Sequence, residues 1–271
     1  MPREQAGFTL PELLVTLFLV SVVAAGVGGV FASQNRAYLR EDMQVALDEN
    51  LRMGAAMVAD TVRNAGCGMP NGNLGSWISW TSGFSNSPIV VVEGGSEPDR
   101  LDVATCTPTL ATITSFAPAG ATTLLVDSTF PGATVSDIFN DDDKSLIWIN
   151  HLQHATVTAV SGNTLTIDTD PTTTGNQGLA RSKLPGAPIT RVDVSSFSIS
   201  DDSETGFRRL QLDKHRGAPA SAADAITDLQ VTTVVANRQY RITLTGRSQR
   251  TDPTNGLYVT RSADVEVTVR N

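Results

Sequence analysis

GFTLPELLVTLFLVSVVAAGVGGVFA, residues 7–32, is the stretch that decides how this chain is built. From Leu13 to Ala32 it carries no charged side chain. A run of that length crosses the ~30 Å hydrocarbon core of a bilayer as a helix, the form that satisfies its own backbone polar groups. A secretory signal peptide is the competing reading, but it needs a basic start, a shorter apolar run and a small-residue cleavage site behind that run. Here the apolar run passes into a helical pattern without such a break. A short polar leader, Met1 to Gly7, precedes Phe8, and Glu12 sits just inside the apolar segment. A carboxylate in that place is costly unless it is paired. An α-amino group freed by cutting after Gly7 is a suitable partner on a neighbouring chain.

Gly7-Phe8-Thr9-Leu10-Pro11-Glu12 ahead of an apolar helix resembles the signal of the type IV prepilin family, a Gly followed by Phe-Thr-Leu-x-Glu. The resemblance implies cleavage between Gly7 and Phe8 by a prepilin peptidase on the cytoplasmic side. It further implies N-methylation of Phe8 and a role for Glu12 in docking onto the next subunit of a filament. Pro11 fits the variable position, because N–H groups in the first helical turn have no intrahelical acceptor.

Behind the span the helical pattern continues without proline to Asn64. Met43, Leu47, Leu51, Val58 and Val62 recur at multiples of three and four, so one stripe can face a sheet, while Arg40, Glu41, Asp48, Glu49, Arg52 and Asp60 face elsewhere. Gly26, Gly28 and Gly29 fall in the middle; they allow either close helix packing or local unwinding. The cluster Gly66, Gly68, Pro70 and Gly72 ends the helix.

With 271 residues, 40% of them apolar, the chain can hold the anchor and one or two cores. Few aromatics and many Thr, Ser, Gly and Val are the usage of an exposed β-rich head. Strands are predicted at 88–92, 100–105, 122–126, 145–149, 155–160, 164–167, 192–199, 207–212, 226–235, 239–245 and 258–269. Ser161-Gly162-Asn163 centres a hairpin over 157–167. The expected class is α+β and pilin-like. A long N-terminal helix, transmembrane in its first half and amphipathic in its second, packs on an antiparallel β-sheet head with a β-rich insertion. The expected divisions are a leader at 1–7, the helix at 8–66 with its span at 13–32, and the head at 67–271 with a β subdomain at 107–188.

A finer resemblance rests on Ser33-Gln34-Asn35-Arg36-Ala37-Tyr38, Glu49-Asn50, Asp60 to Gly66, Ile226 to Val231, Arg241 to Ser248 and the final Val269-Arg270-Asn271. These look like the PilW-type minor pilins and also fit the related J pseudopilin of type II secretion. Nothing between Thr107 and Pro188 is recognised, and Cys67 stands where an aromatic residue is expected. The resemblance implies a minor pilin, with other minor and major pilins, the prepilin peptidase and the inner-membrane assembly platform as partners. It places the single-pass anchor in the bacterial inner membrane with the head in the periplasm, and then in the pilus at the cell surface. That route ends in an oxidising compartment, so a disulfide between Cys67 and Cys106 is expected, with two separate buried thiols as the alternative.

The same residues bear on other functions. A net charge of −8 argues against a general nucleic-acid surface. The clusters Arg208, Arg209, Lys214, Arg216 and Arg238, Arg241, Arg247, Arg250 are read as outward charges on strands, though a DNA-binding competence filament would use such residues. No nucleophile elbow, P-loop or dinucleotide fingerprint is present, so no enzyme and no cofactor are expected. His151 and His154 are read as surface residues. Asp137, Asn140, Asp141, Asp142 and Asp143 form the one oxygen-rich cluster that could hold Ca²⁺, but the spacing misses the EF-hand loop, and a solvated acidic turn is preferred. A tip adhesin centred on Trp77, Trp80 or Trp148 and a membrane-tethered enzyme with a deep pocket remain as the other classes.

Overall fold

The computed structural model describes residues 10–66, 87–106, 109–139, 146–170, 172–202, 205–214, 218–236 and 238–269. Helix α1, Leu10–Arg63, runs unbroken for 54 residues, about 80 Å at 1.5 Å per residue. Pro11 lies in its first turn, where it removes no internal hydrogen bond. The helix continues through Gly26, Gly28 and Gly29, and a Cβ at any of the three would meet nothing within 4 Å. From Leu10 to Asp42 every residue is exposed. Burial begins at Leu47 and recurs at Leu51, Val58 and Val62, the spacing the sequence predicts, and small residues at Gly54, Ala55 and Ala59 join that face.

The helix packs on two antiparallel sheets. One runs β1 (Ile89–Val92), β2 (Arg100–Cys106), β8 (Pro188–Asp201), β9 (Arg208–Asp213) and β10 (Ala220–Asp224). The other runs β11 (Ile226–Val235), β12 (Gln239–Thr251) and β13 (Tyr258–Thr268). Leu101, Val103, Phe197 and Leu210 of the first sheet and Leu229, Ile242, Leu244 and Val267 of the second close one core over α1. The contact is close because two residues lack side chains. A Cβ on Gly54 of the helix would stand 3.2 Å from Ala223 and from Leu244, and one on Gly246 of β12 would stand 2.7 Å from Leu47.

Asp99, just before β2, joins the sheets. Its buried carboxylate accepts the N–H of Gly94 at 2.9 Å and of Val231 at 2.8 Å, and its own N–H donates to the Leu229 carbonyl at 2.8 Å. It thus occupies part of the free edge of β11, where unpaired backbone groups would otherwise invite another strand.

A second core lies in a closed barrel. Strands β3 (Ala111–Ile113), β4 (Thr123–Ser128), β7 (Thr164–Asp168), β6 (Gln153–Ser161) and β5 (Leu146–Ile149) pair in that order, and the first residues of β8 pair with both β3 and β5. Ile189 faces Ala111 on one side and Ile149 on the other, which shuts the ring. Ile113, Leu124, Val126, Ile147, Leu165 and Ile167 fill it. The short helix α2 (Val135–Ile138) packs Val135 and the following Phe139 into the same core.

Several expected boundaries change. The strand predicted at 192–199 begins at Pro188, because its first residues belong to the barrel, and β12 extends to Thr251. Strands β3 and β10 and helix α2 were not anticipated; Ala-Ser-Ala-Ala-Asp in β10 has no strand preference and is held by its neighbour β9. The β6–β7 hairpin forms where predicted, with Ser161 opposite Thr164.

Two substitutions test the packing. Gly246→Val is expected to destabilise the head by about 1–3 kcal/mol through overpacking against Leu47. Asp99→Ala is expected to cost about 1–3 kcal/mol by stranding the buried Val231 N–H. Thermal unfolding of the full chain in detergent measures both, and a melting temperature unchanged by Gly246→Val contradicts the close contact.

Candidate functional site

The first half of α1 is the most unusual surface of the molecule. An 18-residue window of mean hydropathy 2.5 is wholly unburied, and Leu19, Val20, Val23, Val27 and Phe31 line a shallow apolar groove along it. Its hydroxyls are satisfied within the helix, Thr16 Oγ1 donating to the Leu13 carbonyl at 3.0 Å and Ser21 Oγ to the Phe18 carbonyl at 2.7 Å. That local pairing makes the face compatible with hydrocarbon. Glu12 lies in the first turn, where the partial positive charge of a helix N-terminus favours a carboxylate. Gly7 and Phe8 lie outside the described residues.

Where the helix meets the head, one ion pair was missed by the sequence reading. Arg40, expected to point outward, reaches back to the head, its Nε 3.2 Å from Asp252 Oδ2, and that carboxylate is 2% exposed. Asp252 opens the β12–β13 turn; it accepts the Thr254 N–H at 2.8 Å, and its carbonyl accepts that of Gly256 at 2.8 Å. The hydrogen bond from Thr254 holds its pKa below the ordinary aspartate range against the opposing effect of desolvation, and Arg40 adds to the lowering. The cue in the sequence is Asp-Pro-Thr-Asn-Gly at the end of an alternating strand, a turn signal with its own capping carboxylate.

Asp137 is the third residue of a capping box on α2; its carboxylate accepts the Thr134 hydroxyl at 2.6 Å and the Thr134 N–H at 2.8 Å, and these bonds, the hydroxyl's foremost, lower its pKa. Asp141 and Asp143 lie outside the described residues, and no metal-holding group of three or more His, Cys, Asp or Glu occurs among the described ones. Cys106 is disulfide-bonded; the chain's other cysteine, Cys67, lies outside the described residues, as do Trp77, Trp80 and Arg216.

Trp148 is not the centre of an exposed patch. It is 1% exposed, packed with Ala104, Leu146 and Val192. His154, expected at the surface, stacks on it at 6.0 Å between ring centroids, while His151 meets its edge at 4.9 Å. Burial lowers the His154 pKa and keeps that imidazole neutral at pH 7.

The arginines bear outward charge along the strands. Arg208 pairs with Asp201 at 3.5 Å, Arg209 with Asp202 at 3.9 Å, and Arg241 Nε donates to Glu266 at 3.1 Å. Lys214 borders an open groove of about 680 Å³ between the end of α1 and strands β2, β8 and β9, where Asp60 and Asp193 stand with Arg63 and Arg191, so the groove carries both signs.

The prokaryotic N-terminal methylation motif matches residues 2–28. No curated protein and no solved structure matches the chain.

The pH dependence of the helix–head contact follows from Asp252. Because its pKa is depressed on folding, its contribution is present above the ordinary aspartate range and is lost as pH falls through the folded value. Asp252→Asn is expected to lower stability at pH 7 and to converge with the unsubstituted protein below that range. Parallel denaturation series across pH test this; a gap that persists at the acid end contradicts it.

Proposed function

We propose that this chain, which its N-terminal methylation motif indicates to be a type IV pilin-like prepilin, is a minor pilin that initiates or caps a type IV pilus. The observation that carries the reading is the division of α1: its apolar first half is bare, and its second half is built into a head. Before assembly the bare half sits in the inner membrane, with the head in the periplasm. After cleavage behind Gly7 and methylation of Phe8, the same half packs among the helices of other pilins, and Glu12 engages the α-amino group of an adjacent subunit. A large head enlarged by a barrel suits one or a few copies near a tip better than a close-packed shaft. The chain acts as a structural subunit with no chemistry of its own, and Cys67 with Cys106 ties the end of the helix to β2.

A type II secretion pseudopilin is the second reading, since it uses the same anchor in a shorter filament. A binding role at the tip is favoured by the barrel, where Phe116 and Leu184 stand 57% and 69% exposed beside the Ala117–Lys183 bridge.

Mass spectrometry of the mature N-terminus, from cells with and without active prepilin peptidase, tests the reading. N-methylated Phe8 that disappears with the peptidase is expected; an intact Met1 in both strains rejects it. Glu12→Val is expected to leave cleavage intact and to remove the subunit from sheared filaments. Loss of surface filaments on deleting the gene favours the pilus, and loss of secretion with filaments retained favours the pseudopilus.

A further inference from the structure

The β12–β13 turn is carried to the end of the membrane span by the fold itself. Arg40, to which Asp252 is paired, lies eight residues beyond Ala32, about 12 Å along a helix. Thr254 borders one open cleft together with Gly29, Ala32, Ser33 and Arg36 of α1, so the turn stands beside the last residues of the apolar run. What it presents there is amphipathic. Leu257 and Tyr258 are 66% and 46% exposed, and the Arg247 guanidinium lies 4.6 Å from the Tyr258 ring centroid, over its face.

Charge in this zone runs against the rest of the chain. Residues 33–41 and 247–261 contain Arg36, Arg40, Arg247, Arg250 and Arg261 against Glu41 and Asp252 alone, within a chain of net charge −8. Asp252 is already paired with Arg40. Arg36, Arg250 and Arg261 are exposed. Aromatic and aliphatic side chains flanked by arginines are the composition that settles at a membrane–water interface, and anionic headgroups attract such clusters.

We propose that the tip of the β12–β13 hairpin is a bilayer-docking element: Leu257 and Tyr258 enter the interfacial layer beside the α1 span, and Arg250 and Arg261 bind the phosphates of anionic phospholipid. The proposal rests on α1 crossing the bilayer and on no particular orientation of the head. Docking at two points, the span and the hairpin, fixes the tilt and rotation of the head on the membrane, whereas the span alone leaves it free to swivel. Release of the hairpin then accompanies extraction of the subunit.

Depth measurements on the full chain in nanodiscs test this. A nitroxide is attached through Leu257→Cys, or in a separate sample through Val23→Cys, and its collisions with oxygen and with a water-soluble nickel chelate are compared. The discs contain phosphatidylcholine alone or mixed with phosphatidylglycerol. The label at 257 is expected to gain oxygen contact and lose chelate contact several-fold when phosphatidylglycerol is present. Arg250→Glu combined with Arg261→Glu is expected to return it to the chelate while the label at 23 stays in hydrocarbon. A label at 257 that remains chelate-accessible in both discs, with 23 protected, overturns the docking alone. Chelate access at 23 overturns the span and the docking together. Equal depth at 257 in both compositions overturns the assignment to anionic phospholipid, and it does so without any charge substitution.

Discussion

The last turns of α1, from Leu47 to Val62, are the interaction on which everything else depends. They supply an apolar face that both sheets share, and side chains of both sheets close on it in one core. The close approach demands small residues on either side of the seam, Gly54 in the helix and Gly246 in β12. It also fixes where the helix leaves the head, at Arg40 and Asp252. The opposite half of the same helix is left bare by the described residues, and lipid or other chains are what can bury its apolar face. One covalent element thus carries two solvent requirements, separated by the largely exposed stretch between Ala32 and Leu47.

The head is assembled around shared parts. Strand β8 serves the barrel with its first residues and the main sheet with the rest, so the two cores are coupled through one backbone. Asp99 couples the main sheet to β11 through two hydrogen bonds, to the Val231 N–H and the Leu229 carbonyl, so that one residue substitutes for a strand. These joints are polar or covalent, while the layers they join are apolar. The division is physically sensible, since directional bonds set register and burial supplies most of the driving force.

Much of this was legible beforehand. Periodicity of 3.6 found the buried stripe of α1, because Leu, Val and Met there alternate with charges at a spacing that nothing else explains. Alternation of two found the strands Ile226–Val235 and Tyr258–Thr268, whose one face is apolar. The failures have physical causes as well. Ala111–Ile113 and Ala220–Asp224 are strands because their neighbours are, and local composition does not report a neighbour. The sequence allows Trp148 as the centre of an exposed patch, yet it is covered by side chains from β2 and β8, distant in sequence. The same holds for the site. The anchor and the N-terminal signal lie in one continuous segment and could be read, whereas Arg40 and Asp252 are joined only by the fold.

The barrel leaves the main sheet after Cys106 and returns through β8, where Val192 stands directly opposite Cys106. Its two ends are therefore adjacent, bridged by the β2–β8 ladder. Tension applied across the head passes from β2 to β8 through that ladder and bypasses the inserted strands, which bear load only after the ladder has failed. A module attached in this way is mechanically sheltered, and its size and surface are free to diverge without altering the main sheet that carries it.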